Sequence, residues 1–246
     1  GNLAKASLQA AVKALKEKKI DALVTAPINK SNIQAEDFSF PGHTDYLAQE
    51  LEGNALMFMV SGQLRVGLLT DHVGVGEVPK LIDPALIASK VKTMSLSLQQ
   101  DFGIGKPKIA VLGINPHSGD NGTIGTEDEQ ILKPSIKKLF QEGQLVFGPF
   151  SADSFFTNGK HLKYDAVLAA YHDQGLIPFK TLSFGQGVNF TAGLSGVRTS
   201  PDHGTAYDIA GKNTADESSF KEAVYTAIDI CRNRLRFKEF NRVKAQ

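Results

Sequence analysis

Cysteine is almost missing from this chain of 246 residues, with Cys231 standing alone. One thiol excludes an internal disulfide and suits a reducing compartment, so a cytoplasmic location is expected. Cys231 falls in a C-terminal helical pattern, where a buried structural thiol is the expected role. Charge of one sign is missing too. The 27 Lys and Arg against 26 Asp and Glu leave +1 at neutral pH. That balance gives no footing for nucleic acid or a membrane surface as partner. No apolar run approaches the roughly 18 residues of a membrane span, and no signal-peptide pattern is visible. Repeats, low-complexity tracts and linkers are lacking. So are the short-spaced His or Cys pairs of zinc fingers and zincins, and a Gly-x-Gly-x-x-Gly after a strand. Any ion or nucleotide site must therefore be assembled by the fold.

The 41% hydrophobic and 22% charged content is that of a globular chain, long enough for one large domain or two lobes. Leu3, Leu8, Ala11, Val12 and Leu15 recur at helical spacing to Lys18. Because Gly1-Asn2-Leu3 already lies in that pattern, a further N-terminal segment is expected upstream. Asp21 to Ala26 reads as a buried strand ended by Pro27, and Thr44 as the cap of a short helix stopping at Gly53. Ala55 to Val60 and Leu64 to Thr70 read as a hairpin around Ser61-Gly62-Gln63. Asp83-Pro84 opens a helix to about Gly103, and Thr126 to Glu129 forms a capping box for a helix ending at Gly143. Lys108 to Gly113, Leu145 to Phe147 and Asp165 to Ala170 read as strands, and Ser218 to Arg236 as the last long helix. Alternating strands and helices argue an α/β fold with a mainly parallel sheet.

Three apolar runs each end in a histidine: Leu68 to His72, Gly113 to His117, and Ala169 to His172. Open α/β sheets place their chemistry at the carboxyl ends of strands. Three imidazoles converging there would hold a divalent ion, whereas three unrelated surface or capping histidines are the plainer alternative. Asp71 and Asp173 flank two of them and could orient the rings. His161, between Lys160 and Lys163, reads as solvent-exposed.

Phe40-Pro41-Gly42-His43-Thr44 reads either as a plain turn with an N-cap or as a helix start offered to an anion. Lys180, Asn189 and Arg198 sit in apolar surroundings. Cations there need an anionic ligand or an internal salt bridge. The Gly-bounded stretch from Asp202 to Lys212 could wrap a ribose or adenine with backbone groups, or serve as a structural loop.

Taken together these residues resemble the 4-hydroxythreonine-4-phosphate dehydrogenase family of pyridoxal phosphate biosynthesis. The resemblance runs through Asp21 to Lys30, Pro41 to Thr44, Asn115 to Gly119, Tyr171 to Gly175 and Arg198 to Thr205. It implies a two-lobed fold like that of isocitrate and isopropylmalate dehydrogenases, with mainly parallel sheets and a cleft between lobes. Residues 1–42 and 176–246 would form the cofactor-side lobe, and 43–175 the central metal, substrate and dimerisation lobe. His72, His117 and His172 match the family's metal ligands, in a site shared across a homodimer interface, for one Zn, Mg or Co ion. His43, Thr44, Lys180, Asn189 and Arg198 match substrate contacts. The segment containing His203, Gly204, Asp208 and Gly211 looks like an adenosine-binding loop, which implies NAD or NADP. The implied reaction oxidises 4-phosphooxy-L-threonine, with Lys180 and Asp173 as candidate bases. Phosphorylated threonate or erythronate is the alternative substrate.

Two features depart from the family pattern. The Gly-Asp-Pro-Ala-Gly-Ile-Gly type loop of a further N-terminal segment is absent from this sequence. A chain without it is expected to fold and dimerise yet bind cofactor poorly, and a catalytically incompetent fragment is the corresponding alternative. Gly119 to Gly125 also replaces the commoner Gly-Glu-x-Gly.

Overall fold

A computed structural model describes residues 1–33, 40 and 43–244. Within these residues the apolar runs form eight strands: β1 Ala22–Val24, β2 Gly53–Ser61, β3 Leu64–Leu68, β4 Ile109–Leu112, β5 Val146–Phe150, β6 Ala166–Ala169, β7 Val188–Leu194 and β8 Val197–Pro201. They join in one sheet of order β1-β8-β7-β2-β3-β6-β4-β5. Pairing is parallel between β1 and β8 and throughout β3, β6, β4 and β5. It is antiparallel from β8 through β7 and β2 to β3. Hence β1, β8 and β2 run one way, and β7, β3, β6, β4 and β5 the other.

The helices are α1 Asn2–Lys16, α2 Lys30–Ile33, α3 His43–Glu50, α4 Val78–Leu81, α5 Pro84–Gln100, α6 Lys133–Gln141, α7 Ala152–Phe155, α8 His172–Ser183 and α9 Ser218–Lys244. Period-two alternation along β2 sorts the core. Phe58 and Val60 face α5, α6 and α9 through Val91, Met94, Ile136 and Ile230. Met57 and Met59 face the opposite layer, where α7 and α8 contribute Phe155, Leu176 and Phe179. A third cluster packs α1 and α3 together through Leu8, Val12, Tyr46 and Leu47. An ion pair ties α9 to the end of α5. Arg234 Nε donates to the fully buried Asp101 Oδ1 at 2.6 Å, while Ser97 Oγ holds Asp101 Oδ2 at 2.6 Å.

The Asp83 cap forms as expected, accepting the Leu86 N–H at 2.7 Å. Other expectations need correction. The helix bearing Thr44 starts one residue earlier, at His43, so Thr44 lies inside its first turn. Gly53 opens β2 with φ +129°, where a Cβ would strike the Gly193 carbonyl. The expected capping box does not form. No side chain caps the start at Glu127, and the turn opens as a π-helix over Asp128–Leu132. The side chains of Glu127 and Asp128 are engaged instead with the loop after β4. His161 is half-buried against Phe156, not solvent-exposed. β8 and α8 were not read from the sequence as elements. β8 is a buried strand with polar Arg198, Thr199 and Ser200 at its centre, and α8 carries Pro178 in its interior.

Candidate functional site

The three histidines do lie past the ends of three neighbouring parallel strands. His72 follows β3, His172 opens α8 after β6, and His117 follows β4. Adjacency of β3 and β6 brings the His72 and His172 rings to 5.7 Å between centroids, tilted by 42°. His172 Nδ1 meets Asp173 Oδ1 at 2.7 Å, which leaves Nε2 for a ligand. Asp71 is used differently, since its Oδ1 accepts the His72 backbone N–H at 2.8 Å. Gln174 fixes the strand ends beneath these rings. It accepts from Ala170 N and donates to the Gly113 carbonyl, both at 2.7 Å, so β6 and β4 are clasped at this edge.

His117 does not line the cavity that holds His72 and His172. Its loop runs through left-handed backbone from His117 to Asn121, a conformation side chains other than glycine adopt at a cost. Fully buried Asp128 offsets that cost by accepting Ile114 N at 2.9 Å and both Asn115 N and Nδ2 at 3.0 Å. The exposed His117 lies near Asp153. That carboxyl is held below its ordinary range mainly by the Ser151 hydroxyl, with His117 a smaller contribution. Among the described residues of one chain, no three His, Cys, Asp or Glu side chains are placed to hold an ion together.

The cavity beside His72 and His172 does not sit beyond a common set of strand carboxyl ends. It lies across a sheet face where the strand direction reverses. Register places Arg198, Thr191 and Met57 in one row, and Ser200, Asn189 and Met59 in the next. Met57, Met59, Asn189 and Arg198 line a space of about 250 Å³, walled by Leu176 and Lys180 of α8 and by His43 and Thr44 of α3. Pro41 and Gly42 lie outside the described residues.

Arg198 is 3% exposed, and burial brings its pKa down to about 10. Its guanidinium donates to Thr25 Oγ1 and to Thr191 Oγ1. Among the described residues, no carboxylate pairs with it. The Asn189 Oδ1 is likewise buried without a hydrogen-bond partner. Lys180 Nζ reaches the Asp202 carbonyl at 3.3 Å. A buried cation without a counter-charge, facing a cavity with further cationic and imidazole groups, is suited to an anion.

A second cavity of about 790 Å³ adjoins the first, sharing Pro27, Ile28, His203 and Gly204 as a common rim. Gly211 lines it as well, while Asp208 is exposed in the short turn Tyr207–Ile209. Of the candidate site residues, His117, Asp173 and Asp208 are not in the wall of either cavity, and the rest line one or both. Residues that sequence reasoning missed are Thr25 and Thr191 as the Arg198 cradle, Met57 and Met59 as the floor, and Asp128 and Gln174 as supports. Asp128 did stand in a recognisable acidic cluster, but its partner was fourteen residues away.

Residues 1–227 match the family model described as pyridoxal phosphate biosynthetic protein PdxA. The chain belongs to this family. A PdxA relative, the 4-hydroxythreonine-4-phosphate dehydrogenase of Bacteroides thetaiotaomicron, is 50% identical over 240 residues. That match covers 97% of this chain and 66% of the relative's length. A crystal structure of the 4-hydroxythreonine-4-phosphate dehydrogenase from Klebsiella pneumoniae superimposes with a TM-score of 0.80 at 35% identity, covering 91% of this chain and 69% of that one. A terephthalate 1,2-cis-dihydrodiol dehydrogenase from Burkholderia xenovorans gives a TM-score of 0.68 at 29% identity, covering 91% and 71%. No helix among the described residues is long and apolar enough to cross a membrane.

Proposed function

We propose that this PdxA-family chain serves the metal-dependent, NAD- or NADP-linked oxidation of 4-phosphooxy-L-threonine to 2-amino-3-oxo-4-phosphooxybutanoate. That product is a β-keto acid. It loses carbon dioxide, with the ketone accepting the electrons, to give 3-amino-1-hydroxyacetone phosphate for pyridoxine 5'-phosphate synthesis. The observation that carries the reading is Arg198, a buried guanidinium without a carboxylate partner among the described residues, in one cavity with the paired imidazoles of His72 and His172.

The residues fit an ion. With Zn–N bonds of about 2.0–2.1 Å, two ligating rings stand roughly 5–6 Å apart between centroids. His72 and His172 match that spacing, and His172 already has a carboxylate on its other nitrogen. His117 is the third ligand, supplied from a second copy of the chain, so the active unit is a homodimer with the site at its interface. When bound, a divalent ion (Zn, Mg or Co) acidifies the substrate hydroxyl and the nicotinamide accepts hydride.

The chain's own groups bind and orient the substrate. Arg198, Lys180 and Asn189 hold the phosphate. His43 and Thr44, in the first turn of α3, take the carboxylate end. Of the two candidate bases, Lys180 lines the cavity, whereas Asp173 is engaged in orienting His172. His203, Gly204, Asp208 and Gly211 form the adenosine side of the dinucleotide site.

The division of the fold into lobes, as in isocitrate dehydrogenases, belongs to this proposal. Residues 1–42 and 176–246 contribute β1, β8 and β7, and residues 43–175 the rest, so the lobes abut at the β7–β2 pairing. A cytoplasmic location goes with the single thiol.

The test is cofactor reduction by the purified chain, after chelation and metal add-back, with 4-phosphooxy-L-threonine and with 4-phosphorylated threonate and erythronate. Metal-dependent reduction fastest with the phosphothreonine, and lost in His172→Ala and His117→Ala dimers that remain folded, is expected. Faster turnover of a sugar acid phosphate would reassign the substrate. No turnover despite intact metal and dinucleotide binding would mark a fragment incompetent on its own.

A further inference from the structure

Tyr207 lies within the stretch from Asp202 to Lys212, for which the sequence suggested backbone contacts alone, yet the residue is 64% exposed in the wall of the 790 Å³ cavity. An aromatic ring left against water carries a large unused apolar area. This ring is held at both ends. Its backbone is fixed in a 3₁₀ turn that follows Ala206 in left-handed conformation, with Ile209 N bonded to Ala206 O and Ala210 N to Tyr207 O, both at 3.2 Å. Its phenol oxygen accepts from Asn29 Nδ2 at 3.3 Å. The Asn29 amide is itself oriented, because its Oδ1 accepts the Asn32 N–H at 3.0 Å. The loop after β8 is thereby tied to the start of α2 through one aromatic side chain. Fixing a ring before a ligand arrives removes the ordering cost that binding would otherwise carry.

The position of the ring selects the part of the ligand it meets. The shared rim of Pro27, Ile28, His203 and Gly204 leads from this cavity to the one with His72 and His172. A dinucleotide that brings its nicotinamide to the reacting carbon must extend its other end into the larger cavity. We propose that Tyr207 is a preorganised stacking platform for the adenine of that dinucleotide, with Asn29 as the residue that positions it. The proposal rests on the dehydrogenase reading and adds a specificity-determining residue to it.

The chain has five tyrosines and no tryptophan, so tyrosine emission reports directly on such stacking. Titration calorimetry and tyrosine fluorescence with NAD, ADP-ribose and nicotinamide mononucleotide test the proposal on wild type, Tyr207→Ala and Tyr207→Phe. Base–aromatic stacking predicts that Tyr207→Ala weakens NAD and ADP-ribose by about tenfold or more. Tyr207→Phe keeps the ring but loses the bond to Asn29, so it should fall between wild type and Tyr207→Ala, and the mononucleotide should be unaffected. Quenching by ADP-ribose should shrink in Tyr207→Ala. Because the side chain is exposed, both variants should melt near the wild-type temperature. Unchanged ADP-ribose affinity in Tyr207→Ala overturns the platform and leaves the dehydrogenase reading intact. An equal loss for the mononucleotide overturns the assignment to adenine. A wild-type chain that binds neither dinucleotide nor ADP-ribose overturns the dinucleotide reading and the platform with it.

Discussion

Arg198 donates to the single hydroxyl of Thr25 twice, through Nε at 3.0 Å and Nη2 at 2.7 Å. A hydroxyl orients the fork without neutralising it. The depressed pKa of about 10 still leaves the group charged at neutral pH. For a base, a folded-state value below the ordinary one means that folding is penalised while the group is charged, and that the penalty is relieved only as pH rises through about 10. At neutral pH an anion is the available relief. Arg198→Met should therefore leave the empty protein as stable as wild type or more so, by up to about 4 kcal/mol. Inorganic phosphate should raise the melting temperature of wild type and not of the variant. An equal phosphate-induced shift in both would remove Arg198 from the anion site.

Asp173 orients rather than ligates in this geometry. Asp173→Asn should keep the fold, because the side chain is exposed, yet weaken metal binding by about 10- to 100-fold. Competition with a chromogenic chelator gives the number. An unchanged affinity would mean that the 2.7 Å contact with His172 Nδ1 does not set the ring.

Asp128 carries the His117 loop. Asp128→Ala leaves the part-buried N–H groups of Ile114 and Asn115 without this acceptor, each costing at most about 1–3 kcal/mol. Urea denaturation should show a loss within the sum of those terms, accompanied, on the proposed function, by weaker metal binding.

Glu127 gives the same loop a pH signature. Its carboxyl lies below the ordinary glutamate value of 4.5, held there first by its own backbone N–H and next by the Asn115 amide. A lowered carboxylate pKa adds stability that is complete above 4.5 and fades as pH falls through the folded-state value. Asn115→Ala should therefore be less stable than wild type at pH 6, with a gap that narrows on acidification below 4.5. A gap constant from pH 6 to pH 3 would exclude this coupling.

Arg234→Ala strands the buried carboxylate of Asp101, and removal of one partner of such a pair costs about 3–5 kcal/mol. Arg234→Ala combined with Asp101→Ala should recover part of that loss. A single variant as stable as wild type in denaturant titrations would show the pair to be dispensable.

Strand ends were legible because the apolar-rich segments give way to Thr70-Asp71 after Leu69, to Gly113 after Leu112 and to Tyr171-His172 after Ala170, which placed the three histidines. Helix starts were legible where one side chain caps its own turn, as at Asp83. The antiparallel pairing of β2 with β3 was legible from the hairpin, but the direction of β7 was not, because its pairing with β2 joins residues far apart in sequence and leaves no local trace. β8 escaped notice because Arg198, Thr199 and Ser200 are polar and yet buried, their groups satisfied by distant partners such as Thr25 and Ala223. Thr126 to Glu129 misled for the related reason that a capping box and a loop anchor use the same residue types.

The turnabout of strand direction at β2 and β7 has an evolutionary consequence. In a uniformly parallel sheet, only insertions at one pole come near the bound molecule. Here turns from both poles overhang the same floor, so either can lengthen or change composition and still reshape what is recognised. New preferences can thus arise along two routes while the arginine cradle and paired imidazoles stay as they are.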